Sequence, residues 1–369
     1  MWKTMSDEQK TQLTKIYIEG GISGPKFVEA AWQLGIKPES LARYARNYKR
    51  YNELTTSTST ELVEGYVSLP AFHSKPKLTD ITKVEPDSDA EEWVQWLISR
   101  SETEPLITVM HLSDMHEPFK NDMATNVAFQ MVEIVQPDVI VVGSDFWDFY
   151  LMTTFGTNPE VKMESYDELE LLESYWNRFI NALNKIAPNA MFVFIWGNHE
   201  RRIMRYVDNH SVNLHRTIFR EFKRIIRCGG RVKYIGDVDH VRMGPLKIEH
   251  GSRYNVHAPK SRLEDEGGQV CIWMGHGHKL KWFSMSGADF SVNAIMSGCL
   301  CTMPPHYLPI GVSAPSGQKW QHGTAVATFD INDRLVSFEN VEFKTTPLES
   351  YGLFRSKRLS SLNSPISPY

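Results

Sequence analysis

The sequence predicts an α/β protein, because short apolar segments typical of buried strands alternate with helical segments from residue 106 onward. Apolar residues make up 41% of the chain and charged residues 23%, which is ordinary globular usage and does not favour disorder over the whole chain. A length of 369 residues predicts two or three domains, since a domain typically has about 100–200 residues.

Residues 1–54, called here the N-terminal head, are predicted to form a separate three-helix domain. Three amphipathic helical segments are separated by short turns that contain glycine. The third helix has a basic face made of Arg43, Arg46, Lys49 and Arg50. This pattern resembles a helix-turn-helix DNA-binding unit. The alternative is a small solvated three-helix bundle that docks on the rest of the protein or on a partner.

Residues 55–105 are interpreted as a linker and accessory segment, because a Ser/Thr-rich run opens it and a helix is expected only near 89–99. The α/β domain is predicted to span 106–345. Residues 346–369 are predicted to be a flexible tail, since the stretch from Ser350 carries several cations and ends rich in Ser and Pro.

Within the α/β domain, the apolar segments give the strands and the amphipathic segments between them give the helices. Strands are predicted at 106–113, 138–144, 190–196, 231–236, 246–250, 269–275 and 324–331. The clearest helices are predicted at 123–135 and 167–186.

Composition also limits the class of function. A formal net charge of −4 excludes a uniformly basic protein that coats nucleic acid, although a local basic patch is compatible with it. No apolar run approaches the ~18–20 residues that cross a bilayer, and the first residues lack the apolar core of a signal peptide. Cys228, Cys271, Cys299 and Cys301 have neither zinc-knuckle spacing nor disulfide-scaffold density, so they are interpreted as reduced and mostly buried. A cytoplasmic protein without membrane partners is expected.

Polar residues that can bind a metal ion follow five of the predicted strands directly. They are Asp114 and His116, Asp145 and Asp148, Asn198 and His199, His250, and finally His276 and His278. Because ligand sites in α/β proteins collect beyond the carboxyl ends of strands, these groups are expected to converge. Carboxylates, imidazoles and one amide oxygen suit Mn²⁺, Fe²⁺ or Zn²⁺. Two ions about 3.5–4 Å apart can share a carboxylate and a hydroxide that attacks phosphorus in line.

The order of the motifs, D-x-H, D-x-x-D, G-N-H-E, H and G-H-x-H, resembles the calcineurin-like metallophosphoesterase superfamily over roughly residues 106–343. The resemblance implies a four-layer αββα sandwich with two metal ions at the edge of its sheets. The ligands implied for one ion are Asp114, His116 and His278. Those implied for the other are Asn198, His250 and His276, with Asp145 bridging both. Mn²⁺ is the expected ion, with Fe²⁺ or Zn²⁺ as alternatives.

The resemblance also implies a catalytic role for His199 that is separate from metal binding. Oriented by Asp148, it would stabilise the phosphoryl transition state or protonate the leaving oxygen. The sequence departs from the family pattern at Ser144, which stands directly before Asp145 where the family has glycine. An altered loop is expected there, rather than a lost ligand.

Several assignments around the site stay open at this point. His240 and His257 are rivals of His250, but neither follows an apolar strand so directly. Arg201 and Arg202 would either clamp a substrate phosphate or lie on the solvated surface. His306 is a weaker candidate for the substrate groove. An aromatic run beside Asp145 would either stack on a base or pack in the core. Its members are Phe146, Trp147, Phe149 and Tyr150.

Three functions fit the residues. The favoured one is a metal-dependent phosphodiesterase that acts on nucleic acid, most specifically a DNA nuclease that uses its head to bind phosphates. Such a domain combination is typical of a bacteriophage or prophage product, which would act in the host cytoplasm, and it has a distant likeness to double-strand-break repair nucleases of the same superfamily. The alternative is a phosphomonoesterase or protein phosphatase, since G-N-H-E is the form seen in Ser/Thr phosphatases. A DNA-binding or scaffold protein with a silent site is least favoured, because all the expected ligands are present.

Overall fold

The computed structural model describes residue 15 and residues 28–31, 88–152, 165–210, 215–235, 240–287, 291–303, 319–332 and 336–363. The chain divides into two compact units, residues 1–74 and residues 75–369, the second of which is called here the C-terminal unit. The predicted three-helix head lies outside the described residues, apart from residue 15 and residues 28–31, which are helical. It therefore stays a prediction.

The C-terminal unit alternates helices and strands as the sequence predicts. Its elements are α1 (Ser88–Thr103), β1 (Leu106–His111), α2 (Asp122–Val135), β2 (Val139–Gly143), α3 (Ser165–Ile186), β3 (Met191–Ile195), α4 (Glu200–His210), α5 (His215–Arg227), β4 (Val232–Ile235), β5 (His240–Met243), β6 (Leu246–Glu249), α6 (Ala258–Asp265), β7 (Cys271–Met274), β8 (Leu280–Ser286), β9 (Ser291–Ser297), β10 (His322–Asp330), β11 (Val336–Thr345), β12 (Ser350–Phe354) and β13 (Lys357–Ser360). Among the described residues, no helix combines the length and the apolar character that a membrane span requires.

The strands form two sheets. The larger has eight strands in the order β13-β12-β11-β10-β1-β2-β3-β4, and the smaller has five in the order β5-β6-β7-β9-β8. Strands β1, β2, β3 and β4 run parallel to one another, as do β6, β7 and β9 in the smaller sheet. The pairs β1–β10, β5–β6 and β8–β9 are antiparallel. Within each parallel set the carboxyl ends therefore lie on one edge, where loops can present polar side chains together.

Two apolar clusters hold the layers together, and strand alternation separates them. On β1, Met110 packs in a cluster with helices α2, α3 and α5, whereas Ile107 and Val109 pack in a second cluster that contains residues of both sheets. Helix α6 packs on β7, β8 and β9. The α/β fold class is thus confirmed as a sandwich with two packed sheets between helices.

The helix expected near 89–99 belongs to this core. Trp93 and Leu97 of α1 are buried, and the ring of Trp93 stacks on Tyr234 of β4 with a centroid distance of 5.8 Å. This part of the accessory segment is therefore an element of the C-terminal unit.

The prediction of a flexible tail over 346–369 is wrong for residues 350–363. Strand β12 pairs with β11, and β13 pairs with β12. The side chain of Gln130 donates to the carbonyl oxygen of Ser360 at 2.7 Å and accepts from its N–H at 3.2 Å. Phe354 and Leu359 are buried. The cations that suggested disorder are exposed: Arg355 lies in the hairpin turn, and Lys357 and Arg358 begin β13. They interrupt the apolar alternation by which such short strands are recognised.

Candidate metal centre

The predicted site residues lie just beyond the carboxyl ends of parallel strands in both sheets. Asp114 and His116 follow β1, Asp145 and Asp148 follow β2, Asn198 and His199 follow β3, His250 follows β6, and His276 and His278 follow β7. The Asp side chains, His116, His250 and His278 are buried, and the remaining ones are half-buried.

One cluster consists of Asp114, His116 and His278, whose ligand atoms all lie within 4.8 Å of one another. Nε2 of His278 is 3.0 Å from Oδ1 of Asp114 and 3.3 Å from Nε2 of His116. Two imidazole nitrogens and a carboxylate oxygen that converge in a buried space are a suitable donor set for a divalent ion.

The second cluster contains Asp145, His250 and His276, again within 4.8 Å. Nε2 of His250 is 3.2 Å from Oδ2 of Asp145 and 2.7 Å from Oδ1 of Asn198, so the amide oxygen joins the same group. Asp145 also forms a cluster with His116 and His199. Its carboxylate therefore lies between the two sets of ligands, as a bridging group must.

The rival histidines do not share this arrangement. His240 begins β5, and His257 is exposed directly before α6. Neither belongs to any of the potential metal-binding groups found in the described parts of the chain.

Backbone geometry aims these side chains inward. Several non-glycine site residues have left-handed conformations with φ between 51° and 67°: Asp114, His116, Ser144, Asp145, His276 and His278. Each such residue costs on the order of 1–3 kcal/mol and persists only where surrounding contacts enforce it. The concentration of these residues at the strand ends is typical of a functional site.

Neighbouring histidines stabilise the charge of the buried carboxylates in the centre. Burial raises the pKa of Asp145, but His199 and His250 outweigh burial and hold it well below its usual range. Burial lowers the pKa of His278, but Asp114 outweighs it and raises the pKa to about 10. Burial also lowers the pKa of His250, but Asp145 outweighs it and raises the pKa to about 8. On these pKa values, His278 and His250 hold protons that divalent ions would displace, since metal binding requires neutral histidine. Burial instead lowers the pKa of His276 to about 4.

His199 belongs to a hydrogen-bonded network centred on Asp148. Nδ1 of His199 donates to the carbonyl oxygen of Asp148 at 2.9 Å, and Nη2 of Arg202 donates to Nε2 of the same ring at 2.9 Å. Arg202 also donates to the Asp148 carboxylate at 3.2 Å. Because a carbonyl oxygen can only accept, the proton of His199 is on Nδ1 and the ring is neutral. Burial, which lowers the pKa of His199, acts in the same direction.

Asp148 connects this network to the predicted metal ligands. Its Oδ2 accepts a hydrogen bond from Nδ1 of His116 at 2.8 Å, which leaves Nε2 of His116 facing the first cluster. A carboxylate in this position orients a metal-binding imidazole and increases its basicity. Asp148 therefore positions both His116 and His199.

Glu200 is a site residue that the sequence reasoning did not identify. Its fully buried carboxylate accepts four backbone hydrogen bonds. Oε2 accepts from the N–H groups of Gly197 at 2.7 Å and Asp145 at 3.0 Å. Oε1 accepts from those of Phe146 at 2.6 Å and Trp147 at 3.2 Å. Burial, followed by the charge of Asp145, raises the pKa of Glu200 to about 7. The G-N-H-E motif shows only that a carboxylate is present, whereas its four partners become visible only in the fold.

Ser144 is the second such residue. Its hydroxyl lies 2.7 Å from Nδ1 of His250, so that Nε2 of the ring faces Asp145 and Asn198. The residue that departs from the family pattern thus orients a predicted metal ligand, while Asp145 keeps its place between the two clusters.

The aromatic run beside Asp145 belongs to the core, so the base-stacking hypothesis for it is wrong. Phe146, Trp147, Phe149 and Tyr150 are at most 3% exposed. The ring of Trp147 packs on Trp176 and Phe222 at centroid distances of 5.0 and 5.2 Å. His306 lies outside the described residues.

Other aromatic and basic residues do lie at the surface next to the clusters. Tyr254 is 67% exposed, with its ring 6.0 Å from that of His276, and the ring of half-buried Trp320 is 4.0 Å from that of His278. Arg201 and Arg205 of α4 are exposed, and Arg205 donates to the carbonyl oxygen of Asn198 at 3.0 Å. Lys279 directly follows His278, and Lys281 and Lys319 lie close enough to repel its charge. Burial and this repulsion together lower the pKa of Lys279.

The two-sheet sandwich and its convergent aspartate, histidine and asparagine side chains define a metal-dependent phosphoesterase. The calcineurin-like phosphoesterase family model matches residues 107–300, more than half of the chain, and the chain belongs to that family. Among curated proteins, none matches it significantly. Members of the family hydrolyse phosphate esters with divalent metal ions, and the donor sets described above fit such ions.

Proposed function

We propose that the protein is a dinuclear phosphodiesterase that cleaves nucleic acid, with DNA as the expected substrate. The observation that carries this proposal is the border of the metal centre, where aromatic rings and unburied cations adjoin both clusters. Such cations bind the successive phosphates of a nucleic-acid strand, and exposed aromatic rings such as Tyr254 stack on unpaired bases. A small phosphate monoester would use neither feature.

Under this proposal, two divalent ions occupy the two clusters. Asp114, His116 and His278 would hold one, and Asn198, His250 and His276 would hold the other, with Asp145 shared between them. When bound, the ions polarise the phosphoryl oxygens and supply an activated water for in-line attack. Mn²⁺ is the ion expected from the carboxylate and imidazole donors, with Fe²⁺ and Zn²⁺ as alternatives.

The residues beside the ions would stabilise the charge that develops on phosphorus. His199 and Arg202 form one positively charged unit, because the guanidinium donates to the neutral ring and the ring is fixed through Asp148. Nε2 of His199 lies 3.7 Å from Oδ2 of Asp145, so this unit faces the bridging position. Preorganised donors of this kind stabilise a transition state more than a ground state. Protonation of the leaving oxygen would require His199 to acquire a second proton and Arg202 to move aside.

The deciding experiment compares four substrates with Mn²⁺: labelled single-stranded DNA, double-stranded DNA, an aryl phosphate monoester and its diester. Cleavage of DNA and of the diester is expected, with loss in metal-stripped protein and in Asp145→Asn. Rapid monoester turnover with intact DNA would move the protein to the phosphomonoesterase class. The G-N-H-E form gives little support to that class, because Glu200 binds backbone N–H groups rather than facing the ligand clusters.

The head extends this proposal. Reversal of charge at Arg43, Arg46, Lys49 and Arg50 is expected to weaken DNA binding and to reduce its salt dependence, because phosphate contacts release counterions. Unchanged binding would remove the head from the proposal and leave the chemistry intact. A cytoplasmic location remains a prediction from composition, and a phage or prophage origin remains a prediction from the domain combination.

A further inference from the structure

A pair of cysteines lies against the first metal cluster. The sulfur atoms of Cys299 and Cys301 and a ring nitrogen of His278 are all within 4.8 Å of one another. Both cysteines are free and completely buried, and His278 is only 5% exposed. His278 therefore belongs to two groups at once, one with Asp114 and His116 and one with the two thiols.

The backbone holds this C-x-C segment in place. The N–H of Leu300 donates to the carbonyl oxygen of Asp114 at 3.1 Å, which places the segment beside the end of β1. Nε2 of His322 lies 2.6 Å from the carbonyl oxygen of Cys301. The backbones of Cys299 and His322 form an isolated β-bridge. The backbone of the segment is thus held by the end of β1, which also carries Asp114, and by the first residue of β10.

Cys301 is the better placed of the two thiols. Its sulfur lies within 4.8 Å of a ring nitrogen of His278, and its charge also acts on His116, a second predicted ligand of the first cluster. Cys299 interacts with Cys301 and donates to the carbonyl oxygen of Gln321 at 3.6 Å. Its thiol therefore lies beside that of Cys301 and forms its hydrogen bond outside the cluster.

We infer that Cys301, supported by Cys299, provides a thiolate ligand to the ion held by Asp114, His116 and His278. Thiolate with imidazole favours a sulfur-binding ion such as Zn²⁺ over Mn²⁺, whereas the second cluster has only oxygen and nitrogen donors. The two positions of the centre would therefore differ in metal preference. Binding forms one metal–sulfur bond and releases the thiol proton to solvent. This inference rests on the proposed metal centre.

The test uses the full chain, stripped of metal under reducing conditions and titrated with Co²⁺ and, separately, with Cd²⁺. A near-ultraviolet sulfur-to-metal charge-transfer band is expected to grow as the first ion binds. Cys301→Ser should lose this band while still binding cobalt, as seen from its visible absorption. Cys271→Ser and Cys228→Ser are matched controls, because each removes a buried free thiol outside the cluster, and each should keep the band.

A second measurement needs no variant and covers the case in which Cys301→Ser does not fold. X-ray absorption at the zinc edge of the wild-type protein should show a sulfur neighbour at about 2.3 Å, the usual Zn–S distance. Bound ions with no sulfur signal in either experiment would overturn the inference and leave the proposed centre standing. Equal loss of the band in Cys301→Ser and Cys271→Ser would also overturn it. Failure of the wild-type protein to bind any divalent ion would instead refute the proposed function.

Discussion

Replacement of Glu200 by glutamine tests whether this carboxylate holds the loop that carries Asp145. The carboxylate has two oxygens, each of which accepts two backbone N–H bonds. Glutamine keeps one oxygen, so its NH₂ group must face the other two donors. A buried donor left without a partner costs about 1–3 kcal/mol, so two such donors predict a loss of roughly 2–6 kcal/mol in the free energy of unfolding. Protein stability is typically about 5–15 kcal/mol, which makes this a large loss.

The assay is urea unfolding followed by tryptophan fluorescence, with metal content measured on the same samples. Glu264→Gln is the matched control, because Glu264 is exposed on α6 and forms an exposed ion pair there, with its Oε1 3.8 Å from Nζ of Lys260. Exposed ion pairs are worth about 0–1 kcal/mol, so the control should barely change the urea midpoint. Glu200→Gln should lower the midpoint and also the bound metal, since Asp145 loses its backbone anchor. An unchanged midpoint together with full metal content would refute the reasoning.

Four further predictions concern the centre and its surroundings. Asp145→Asn should abolish turnover and reduce bound metal, because the amide presents only one oxygen between the clusters; activity with both ions bound would contradict the bridging assignment. Arg202→Ala should lower the rate of diester hydrolysis by about 10²–10³-fold with metal content unchanged. Arg220→Ala, an exposed change on α5, should have no effect on that rate, and equal rates in the two variants would count against the charged unit with His199. Tyr254→Ala should weaken single-stranded DNA binding by about 1–3 kcal/mol, the usual contribution of one stacked base, so an unchanged Kd would exclude stacking there. Truncation after residue 349 removes the buried side chains of β12 and β13, each worth about 1.5–3 kcal/mol, and should lower the thermal midpoint; an unchanged midpoint would show that the two strands add nothing to stability.

Several features of the structure depend on contacts between residues that are distant in sequence, so the sequence alone did not predict them. Glu200 accepts from the N–H of Asp145, 55 positions earlier in the chain, and no local pattern reports this hydrogen bond. The strands β12 and β13 are short and flanked by exposed cations, so composition predicted disorder where pairing with β11 enforces order. The aromatic run at 146–150 could not be assigned to groove or core until its burial was known.

The sequence by itself determined the α/β class, the order of the strands along the chain and the type of chemistry at their ends. These are local properties, because apolar runs identify the strands and the polar residues that follow each strand are adjacent to it in the sequence. How these residues are shared between the two clusters is not local, since several of them have left-handed conformations beyond the strands, and His276 and His278 belong to different clusters. Tertiary structure decided which thiols, hydroxyls and carboxylates meet that centre. Cys301 lies near His278 because β9 pairs with β7, and Ser144 meets His250 because the two sheets pack face to face. The spacing of residues within a strand is fixed by the geometry of the backbone. These contacts between distant residues are instead fixed by strand pairing and by burial of the apolar faces, which depend on the whole chain.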